Sequence, residues 1–319
     1  MQIQEKPAIG LGLWKIPNEQ CADVVYQAIK LGYRHFDSAC DYGNEIEVGN
    51  GIKRALDEGL CQRNDLWITS KLWNTFHRKE HVQPALEKTL RDLQLDYLDS
   101  YLIHFPIAQP YVDFDDRYPP EWVFDTDADE PSMVIDPVPL QDTWQAMEAL
   151  VDKKLVNHIG VCNYNSALLH DLMAYSTIKP SELQIESHPY LTQERLIRLA
   201  KNYGMSVTVF SPLGALSYFE LDMAEKTESV LEQTCVLKMS AKYQKTPAQI
   251  VLRWGVQRDC FVISKSSRPE RLAENLDIFD FQLSEDEMQS ISSLNVNRRF
   301  NDPGDFCEAA FNKFYPIYD

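Results

Sequence analysis

Short apolar runs recur along the whole chain and alternate with amphipathic segments. Most of these runs are almost continuously apolar instead of alternating with polar residues, which is typical of parallel strands buried on both faces. The eight runs end at Trp14, Asp37, Lys71, His104, Asn163, Glu186, Phe210 and Lys265. The pattern therefore predicts eight strands spread over most of the sequence.

Amphipathic helices are predicted between these strands. Over 17–32 the apolar side chains follow the i, i+3, i+4, i+7 spacing of one helix face, with Pro17 near the start and Gly32 just after the end. The same spacing recurs over 82–93 and 196–203. Strands and helices thus alternate regularly.

Eight strands alternating with helices over about 250–300 residues predict an α/β fold of the (β/α)8 TIM-barrel type, as a single domain over 1–319. A doubly wound sheet is the alternative, but it usually carries G-x-G-x-x-G after its first strand. The early glycines of this chain, Gly10 and Gly12, lie inside a predicted strand. Two connections, 105–139 and 211–230, are long enough to predict functional walls or lids.

The composition is that of an ordinary globular protein, with 44% hydrophobic and 25% charged residues among 319. Its 31 Lys and Arg against 48 Asp and Glu give a formal charge of −17. Such an acidic surface repels phosphate backbones and anionic lipids, so we expect neither a nucleic-acid nor a membrane partner. A phosphorylated ligand would need a locally basic pocket.

The cysteines and histidines form none of the familiar metal or disulfide patterns. Seven dispersed cysteines without a C-x-x-C pair predict reduced thiols in a cytoplasmic protein. Because the sequence contains no H-E-x-x-H pair, we do not expect a metal site. No apolar stretch approaches the ~18 residues of a membrane span, and no signal peptide is recognisable. We expect a monomer or a homodimer.

Polar side chains collect at the carboxyl ends of the predicted strands. They are Asp37, Lys71, His104, Asn163, Gln184 and Lys265. Each alone is more often a salt-bridged or satisfied residue than a catalytic one, but in a barrel the strand ends converge on one face. Six such residues at the same ends therefore predict an active site there.

Tyr42, five residues after Asp37, adds a proton donor to this set. A free tyrosine, with a pKa of about 10, is a poor acid at neutral pH. The ammonium of Lys71 can stabilise its phenolate, Asp37 can hold that ammonium, and His104 can orient a substrate oxygen. The set contains no obvious covalent nucleophile, so it favours hydride chemistry with a bound cofactor at a carbonyl.

Seven segments occur in a distinctive order along the chain: GYRHFDSACDYGNEIEVG (32–49), LWITSKLWN (66–74), LDYLDSYLIHFP (95–106), IGVCNYN (159–165), LQIESHPYL (183–191), FSPLG (210–214) and SKSSRPERLAENL (264–276). Together and in this order they resemble the aldo-keto reductases. The segments IHFP (103–106) and RFNDP (299–303) are similar to the xylose reductase branch, whereas the tail after Pro303 differs from it.

The resemblance implies a role for each matching position. Tyr42 would be the proton donor, with Lys71 and Asp37 controlling its acidity and His104 directing the carbonyl. The implied coenzyme contacts are Cys162, Asn163 and Gln184 at the nicotinamide carboxamide, Phe210 on its face, Ser211 and Leu213 at the pyrophosphate, Glu220 near the ribose, and Lys265, Ser266, Ser267, Arg271, Glu274 and Asn275 at the 2′-phosphate and adenine end. The implied substrate pocket consists of Trp14, Trp73, His104, Phe105, Phe124 and Asn301.

These roles imply reduction of a xylose-like aldose or a related aldehyde. NADPH is expected to be preferred, through Lys265 and Arg271, and NADH to be tolerated because of Glu220. The alternatives are phosphorylated aldoses, whose phosphate could meet Lys313 or Arg117, general aldehydes, and a coenzyme-binding structural protein or channel subunit with the same fold.

Overall fold

A computed structural model describes residues 6–319 as a closed barrel of eight parallel strands surrounded by helices. The strands are β1 (Ile9–Gly12), β2 (His35–Asp37), β3 (Trp67–Leu72), β4 (Leu98–Ile103), β5 (Val156–Cys162), β6 (Glu182–Glu186), β7 (Ser206–Phe210) and β8 (Phe261–Ser264). Each strand pairs with the next, and β8 pairs with β1 to close the barrel. The eight predicted strands and the TIM-barrel class are confirmed.

Eleven helices lie in the described part of the chain. They are α1 (Asn18–Leu31), α2 (Glu45–Asp57), α3 (Lys79–Leu93), α4 (Leu140–Asp152), α5 (Ser166–Tyr175), α6 (Glu194–Asn202), α7 (Thr234–Tyr243), α8 (Pro247–Gln257), α9 (Pro269–Leu276), α10 (Glu285–Ser292) and α11 (Pro303–Phe311). The end of α1 shows how local sequence sets a boundary. Gly32 adopts φ 109°, and its N–H bonds Ala28 O and Ile29 O, which ends the helix in a left-handed residue. No helix among residues 6–319 is long and apolar enough to cross a membrane.

Most of the apolar runs form strands that are buried along most or all of their length. Every residue of β3 and of β4 is buried, because the barrel interior covers one face and the helices cover the other. Polar residues lie at both ends of these strands: Asp99 and Ser100 are near the amino end of β4, whereas Lys71 is near the carboxyl end of β3. The group at the carboxyl ends faces one mouth of the barrel.

The opposite end of the barrel holds a buried ionic group with a structural role. Lys6 pairs with Glu182 and donates to Thr208 Oγ1 at 2.8 Å, while Ser100 Oγ donates to Glu182 Oε2 at 2.9 Å. Burial alone would raise the pKa of Glu182, but the charge and hydrogen bond of Lys6 lower it to about 2. Glu182 therefore remains ionised and paired at the end opposite the candidate site.

The two long connections leave the carboxyl ends of β4 and β7. The first joins β4 to α4, and the second, between Phe210 and α7, consists largely of short 3-10 turns. After α9 and α10, and before α11, the chain returns to the same mouth, where the N–H groups of Phe300 and Asn301 donate to the buried Glu186 at 3.0 and 2.9 Å. Loops and C-terminal segment thus surround one opening.

Candidate active site

The structure brings the four predicted catalytic residues together at this mouth. Lys71 Nζ lies 2.6 Å from Asp37 Oδ1, donates to Ser38 O at 2.8 Å and donates to Tyr42 Oη at 3.2 Å. Lys71 and Asp37 are at most 2% exposed. An ammonium buried at hydrogen-bond distance from a tyrosine hydroxyl can stabilise negative charge on that hydroxyl.

The charges in this cluster keep Lys71 ionised. Burial alone would lower the pKa of Lys71, but the carboxylate of Asp37 and the proximity of Tyr42 raise it above its ordinary value. The lysine is therefore an ammonium at any pH at which the protein would be assayed. It supplies a permanent positive charge next to the Tyr42 hydroxyl.

The pKa of Tyr42 is raised, although the neighbouring Lys71 would by itself lower it. Burial raises it above its ordinary value, and this effect outweighs the opposing influence of Lys71. Tyr42 therefore carries its proton at neutral pH, which is the form required of a proton donor. The positive charge of Lys71 lowers the cost of giving up that proton without making Tyr42 a phenolate at rest.

His104 faces the same space as Tyr42. The two rings lie 5.9 Å apart, edge to face, and burial together with the charge of Lys71 holds the pKa of His104 well below its ordinary value. The imidazole is therefore neutral. Its Nδ1 is buried and has no hydrogen-bond partner among residues 6–319. A neutral imidazole of this kind can orient a polar substrate group without adding charge.

The three positions predicted for a carboxamide lie on adjacent strands. Cys162 at the end of β5 is in register with Gln184 on β6, and Asn163 follows in a left-handed conformation with φ 61°. Gln184 Nε2 donates to Asp37 Oδ2 at 2.7 Å, and Asn163 Nδ2 donates to His104 O at 2.8 Å. Two oriented amides therefore border the catalytic group, a donor set that fits a primary carboxamide.

The predicted phosphate and adenine positions surround the start of α9. Lys265, Ser266 and Ser267 come directly after β8, and the first turn of α9 has no side-chain cap for its N–H groups. Arg271 is held by Glu274 at 2.9 Å, and Asn275 Nδ2 donates to Ser264 Oγ at 3.3 Å. Two cations, two hydroxyls and a helix N-terminus fit an anionic phosphate.

Lys15 is a cation of this region that sequence reasoning missed. Its Nζ donates to Ser217 O at 2.5 Å and lies 3.6 Å from Glu220 Oε2. The pKa of Lys15 is lowered overall. Burial is the main cause and the nearby charge of Lys265 adds to it, while Glu220 acts in the opposite direction. Lys15 thus connects the first strand end to the second long loop, close to the predicted phosphate site. No motif marks it, because its partners come from 200 residues further along the chain.

The second long loop places three predicted coenzyme contacts at the mouth. Phe210 ends β7, and Leu213 is partly buried two residues after Ser211. Ser211 adopts φ 48° and hydrogen-bonds through Oγ with Tyr218 Oη at 2.9 Å. This loop leaves the barrel at Phe210, the end of β7, and is held to it again ten residues later by the pairing of Glu220 with Lys15.

The aromatic cluster at the mouth contains a ring that the sequence did not single out, Trp122. Trp73 lies edge to face with His104 at 5.3 Å and with Phe105 at 6.0 Å between ring centroids. The next ring in this cluster is Trp122, 4.9 Å from Trp73 and 5.2 Å from Phe105. Phe124 is not brought into it, since its side chain is 45% exposed.

The first long loop explains the inward position of Trp122. Trp73 Nε1 donates to Glu121 O at 3.0 Å, and Glu121 adopts φ 61°, so the chain turns and directs Trp122 inward. Arg117 donates to the carbonyls of Val123 and Phe124 at 2.5 and 3.2 Å. These bonds use the guanidinium N–H groups of Arg117 within the loop, so they are not available to bind a substrate phosphate.

Asn301 and Trp14 come from the two chain ends and both lie beside Tyr218. Trp14 lies 6.1 Å from Tyr218, within a small cluster that includes the buried Phe300. The backbone of Asn301 is held by Glu186, while its side-chain Oδ1 is buried without a partner among residues 6–319. A buried, unsatisfied amide oxygen is costly unless water or a ligand bonds it, so Asn301 is suited to a hydroxyl-bearing substrate.

Known proteins are similar to this chain in both sequence and fold. A model of the aldo/keto reductase family matches residues 8–296. A protein of Aspergillus clavatus named "Probable NAD(P)H-dependent D-xylose reductase" is 51% identical over 301 residues, which cover 94% of this chain and 90% of that protein. A protein of the same name from Aspergillus flavus is 46% identical over 316 residues, covering 98% and 96%.

The structural similarity covers the same extent. The aldose reductase structure from Schistosoma japonicum has a TM-score of 0.85 and 37% sequence identity, and the match covers 98% of this chain and 95% of that one. The family model and the relatives span the barrel, the catalytic cluster and the predicted coenzyme positions. This chain belongs to the aldo/keto reductase family.

Proposed function

We propose that the protein reduces the aldehyde of an open-chain, xylose-like aldose to the alcohol with NADPH, and that it also accepts NADH. The observation that carries this proposal is the contact of Lys71 Nζ with both Asp37 and Tyr42, with His104 beside it. These groups form a proton donor poised for a carbonyl oxygen.

The residues described above would hold the coenzyme along one side of the mouth. Asn163 and Gln184 would bind the carboxamide, Lys265 and Arg271 the 2′-phosphate, and Phe210 the face of the ring. When bound, the coenzyme supplies the hydride for the carbonyl carbon. The local basic charge is what an anionic ligand needs on a chain of net charge −17.

The protein's own groups manage the proton and the negative charge. Reduction builds negative charge on the carbonyl oxygen, and the Tyr42 hydroxyl donates its proton there as the O–H bond forms. Lys71 then stabilises the phenolate, and Asp37 keeps the ammonium in place through the 2.6 Å contact. Neutral His104 orients the oxygen, while Trp73 and Trp122 exclude water from the carbonyl.

The relatives and the pocket together favour an aldose over an unrelated aldehyde. The Aspergillus proteins are named D-xylose reductases, and the unsatisfied amide oxygen of Asn301 lies next to the aromatic cluster of Trp14, Tyr218 and Phe300. Polar groups opposite an apolar wall suit a carbon chain with hydroxyls along one side. The occupied guanidinium of Arg117 disfavours a phosphorylated aldose.

The test is NADPH oxidation by the purified protein with D-xylose, xylose 5-phosphate and butanal as separate substrates. We expect the highest kcat/KM with D-xylose. A preference for the phosphate ester would favour the phosphoaldose alternative, and a preference for butanal a general aldehyde reductase. Binding of NADPH without turnover of any aldehyde would favour a structural or channel-subunit role. Cytoplasmic location and a monomeric or homodimeric state remain part of the proposal.

Arg271→Ala tests the coenzyme assignment. We expect a higher KM for NADPH and a nearly unchanged KM for NADH, because only NADPH carries the 2′-phosphate that the guanidinium would bind. The control is Arg253→Ala, which makes the same charge change on α8, where Arg253 donates to Gln257 at 3.0 Å. Equal effects of Arg271→Ala on both coenzymes would place Arg271 away from the 2′-phosphate.

Asn301→Ala tests the sugar assignment. We expect kcat/KM for D-xylose to fall by about 5- to 150-fold, equivalent to about 1–3 kcal/mol, because a buried hydrogen bond to a hydroxyl is lost. Butanal has no such hydroxyl and serves as the matched substrate, for which the loss is expected to be much smaller. An equal fall in kcat/KM for D-xylose and butanal would show that Asn301 does not bind the sugar hydroxyls.

A further inference from the structure

The C-terminal tail after α11 reaches back to the predicted carboxamide position. Tyr318 Oη donates to Asn163 Oδ1 at 3.3 Å, across 155 residues of sequence. One residue earlier in the tail, Ile317 O accepts from Asn165 Nδ2 at 3.2 Å. The tail therefore contacts the loop that follows β5 through two separate hydrogen bonds.

The ring of Tyr318 is itself held in position. The guanidinium of Arg299 stacks on it at 3.6 Å from the ring centroid. Arg299 also donates to Gln193 Oε1 at 3.5 Å, directly before α6. A cation stacked on the ring restricts its rotation, so the hydroxyl is presented to Asn163 in one direction.

These contacts decide which way the Asn163 amide points. Its Nδ2 already donates to His104 O at 2.8 Å, and its Oδ1 accepts from Tyr318. Turning the amide over would place Oδ1 against the His104 carbonyl, where two acceptors repel. One N–H and one lone pair remain free, which is the complement that a primary carboxamide requires.

We propose that the Tyr318 hydroxyl is a positioning group that orients the Asn163 amide, so that the C-terminal tail contributes to coenzyme affinity. The inference rests on the proposed function, since it takes the carboxamide of NAD(P)H as the ligand of Asn163. Tyr318 touches neither the coenzyme phosphates nor the reacting carbonyl in this scheme. Its effect passes through Asn163.

Tyr318→Phe removes the hydroxyl and keeps the ring for Arg299. We expect the Kd of NADPH, measured by quenching of tryptophan fluorescence, to rise about 3- to 10-fold, the range for one lost hydrogen bond. The KM for D-xylose and kcat at saturating coenzyme should remain nearly unchanged. The matched control is Tyr315→Phe in the same tail, because Tyr315 is also partly buried and packs against the hydrophobic core.

A double-mutant cycle separates positioning from general packing. Asn163→Gly removes the amide while keeping a residue that tolerates the φ of 61°. In that background, adding Tyr318→Phe should change the Kd of NADPH by less than about 2-fold, since the coupled partner is gone. By reciprocity, NADP+ should slow hydrogen exchange of residues 312–319 in the native protein and do so less in Tyr318→Phe.

The outcomes distinguish this inference from the proposed function. An unchanged Kd in Tyr318→Phe, or the same loss with and without Asn163, would overturn the positioning role while leaving the reductase assignment intact. An unchanged Kd in Asn163→Gly would remove Asn163 from coenzyme binding and the inference with it. A native protein that does not bind NADPH would overturn the proposed function itself.

Discussion

Tyr42→Phe is expected to lower kcat for aldose reduction by ~10²–10⁴, the usual contribution of a positioned general acid. The variant lacks the hydroxyl that lies 3.2 Å from Lys71 Nζ, so the proton donor of the proposed reaction is gone. The Kd of NADPH should barely change. Stopped-flow measurement of NADPH oxidation would follow the chemical step directly.

The control for this experiment is a tyrosine outside the barrel mouth. Tyr26 on α1 donates to Glu58 Oε2 at 2.6 Å, so Tyr26→Phe removes one hydroxyl hydrogen bond from the outer helices. We expect native kcat for Tyr26→Phe. A native rate for Tyr42→Phe would show that Tyr42 is not the proton donor.

Lys71→Met is expected to be about as damaging to kcat as Tyr42→Phe. Burial raises the pKa of Tyr42, and Lys71 is the first opposing influence on it. Without the ammonium, the phenolate left after proton donation is unpaired in a buried site, so the barrier rises. The measurement is kcat for D-xylose at saturating NADPH, together with the pH dependence of the residual rate.

The same substitution leaves the Asp37 carboxylate buried with Gln184 and without a cation, which can destabilise folding by about 3–5 kcal/mol. A second variant, Lys71→Met with Asp37→Asn, removes both charges. We expect it to recover thermal stability without recovering kcat. Recovery of both would mean that Lys71 supports the fold and does not assist Tyr42.

The regular elements were predictable because their information is local. The apolar runs ending at Lys71 and His104 coincide with β3 and β4, and Gly32 ends α1 through its own backbone conformation. Parallel strands in a barrel share one direction, so polar residues at their carboxyl ends must converge. That single geometric rule brought Asp37, Lys71 and His104 to one mouth.

The pKa of Tyr42 shows where residue types alone mislead. Its nearness to Lys71 suggests a lowered value, but the net direction depends on how completely neighbouring segments remove water from the hydroxyl. Burial is a property of the assembled site and cannot be read from a pair of residues. The sequence indicated the partners and the tertiary structure decided the balance.

The long loops mark the limit of what sequence determined about this protein. By itself the sequence determined the alternation of strands and helices, the barrel class and the residue types at the catalytic mouth. The choice of Trp122 over Phe124, the pairing of Lys15 with Glu220 and the contact of Tyr318 with Asn163 were decided by tertiary structure alone. The physical reason is that a strand or helix repeats every few residues, whereas a loop side chain takes its place from contacts with segments far away in the chain.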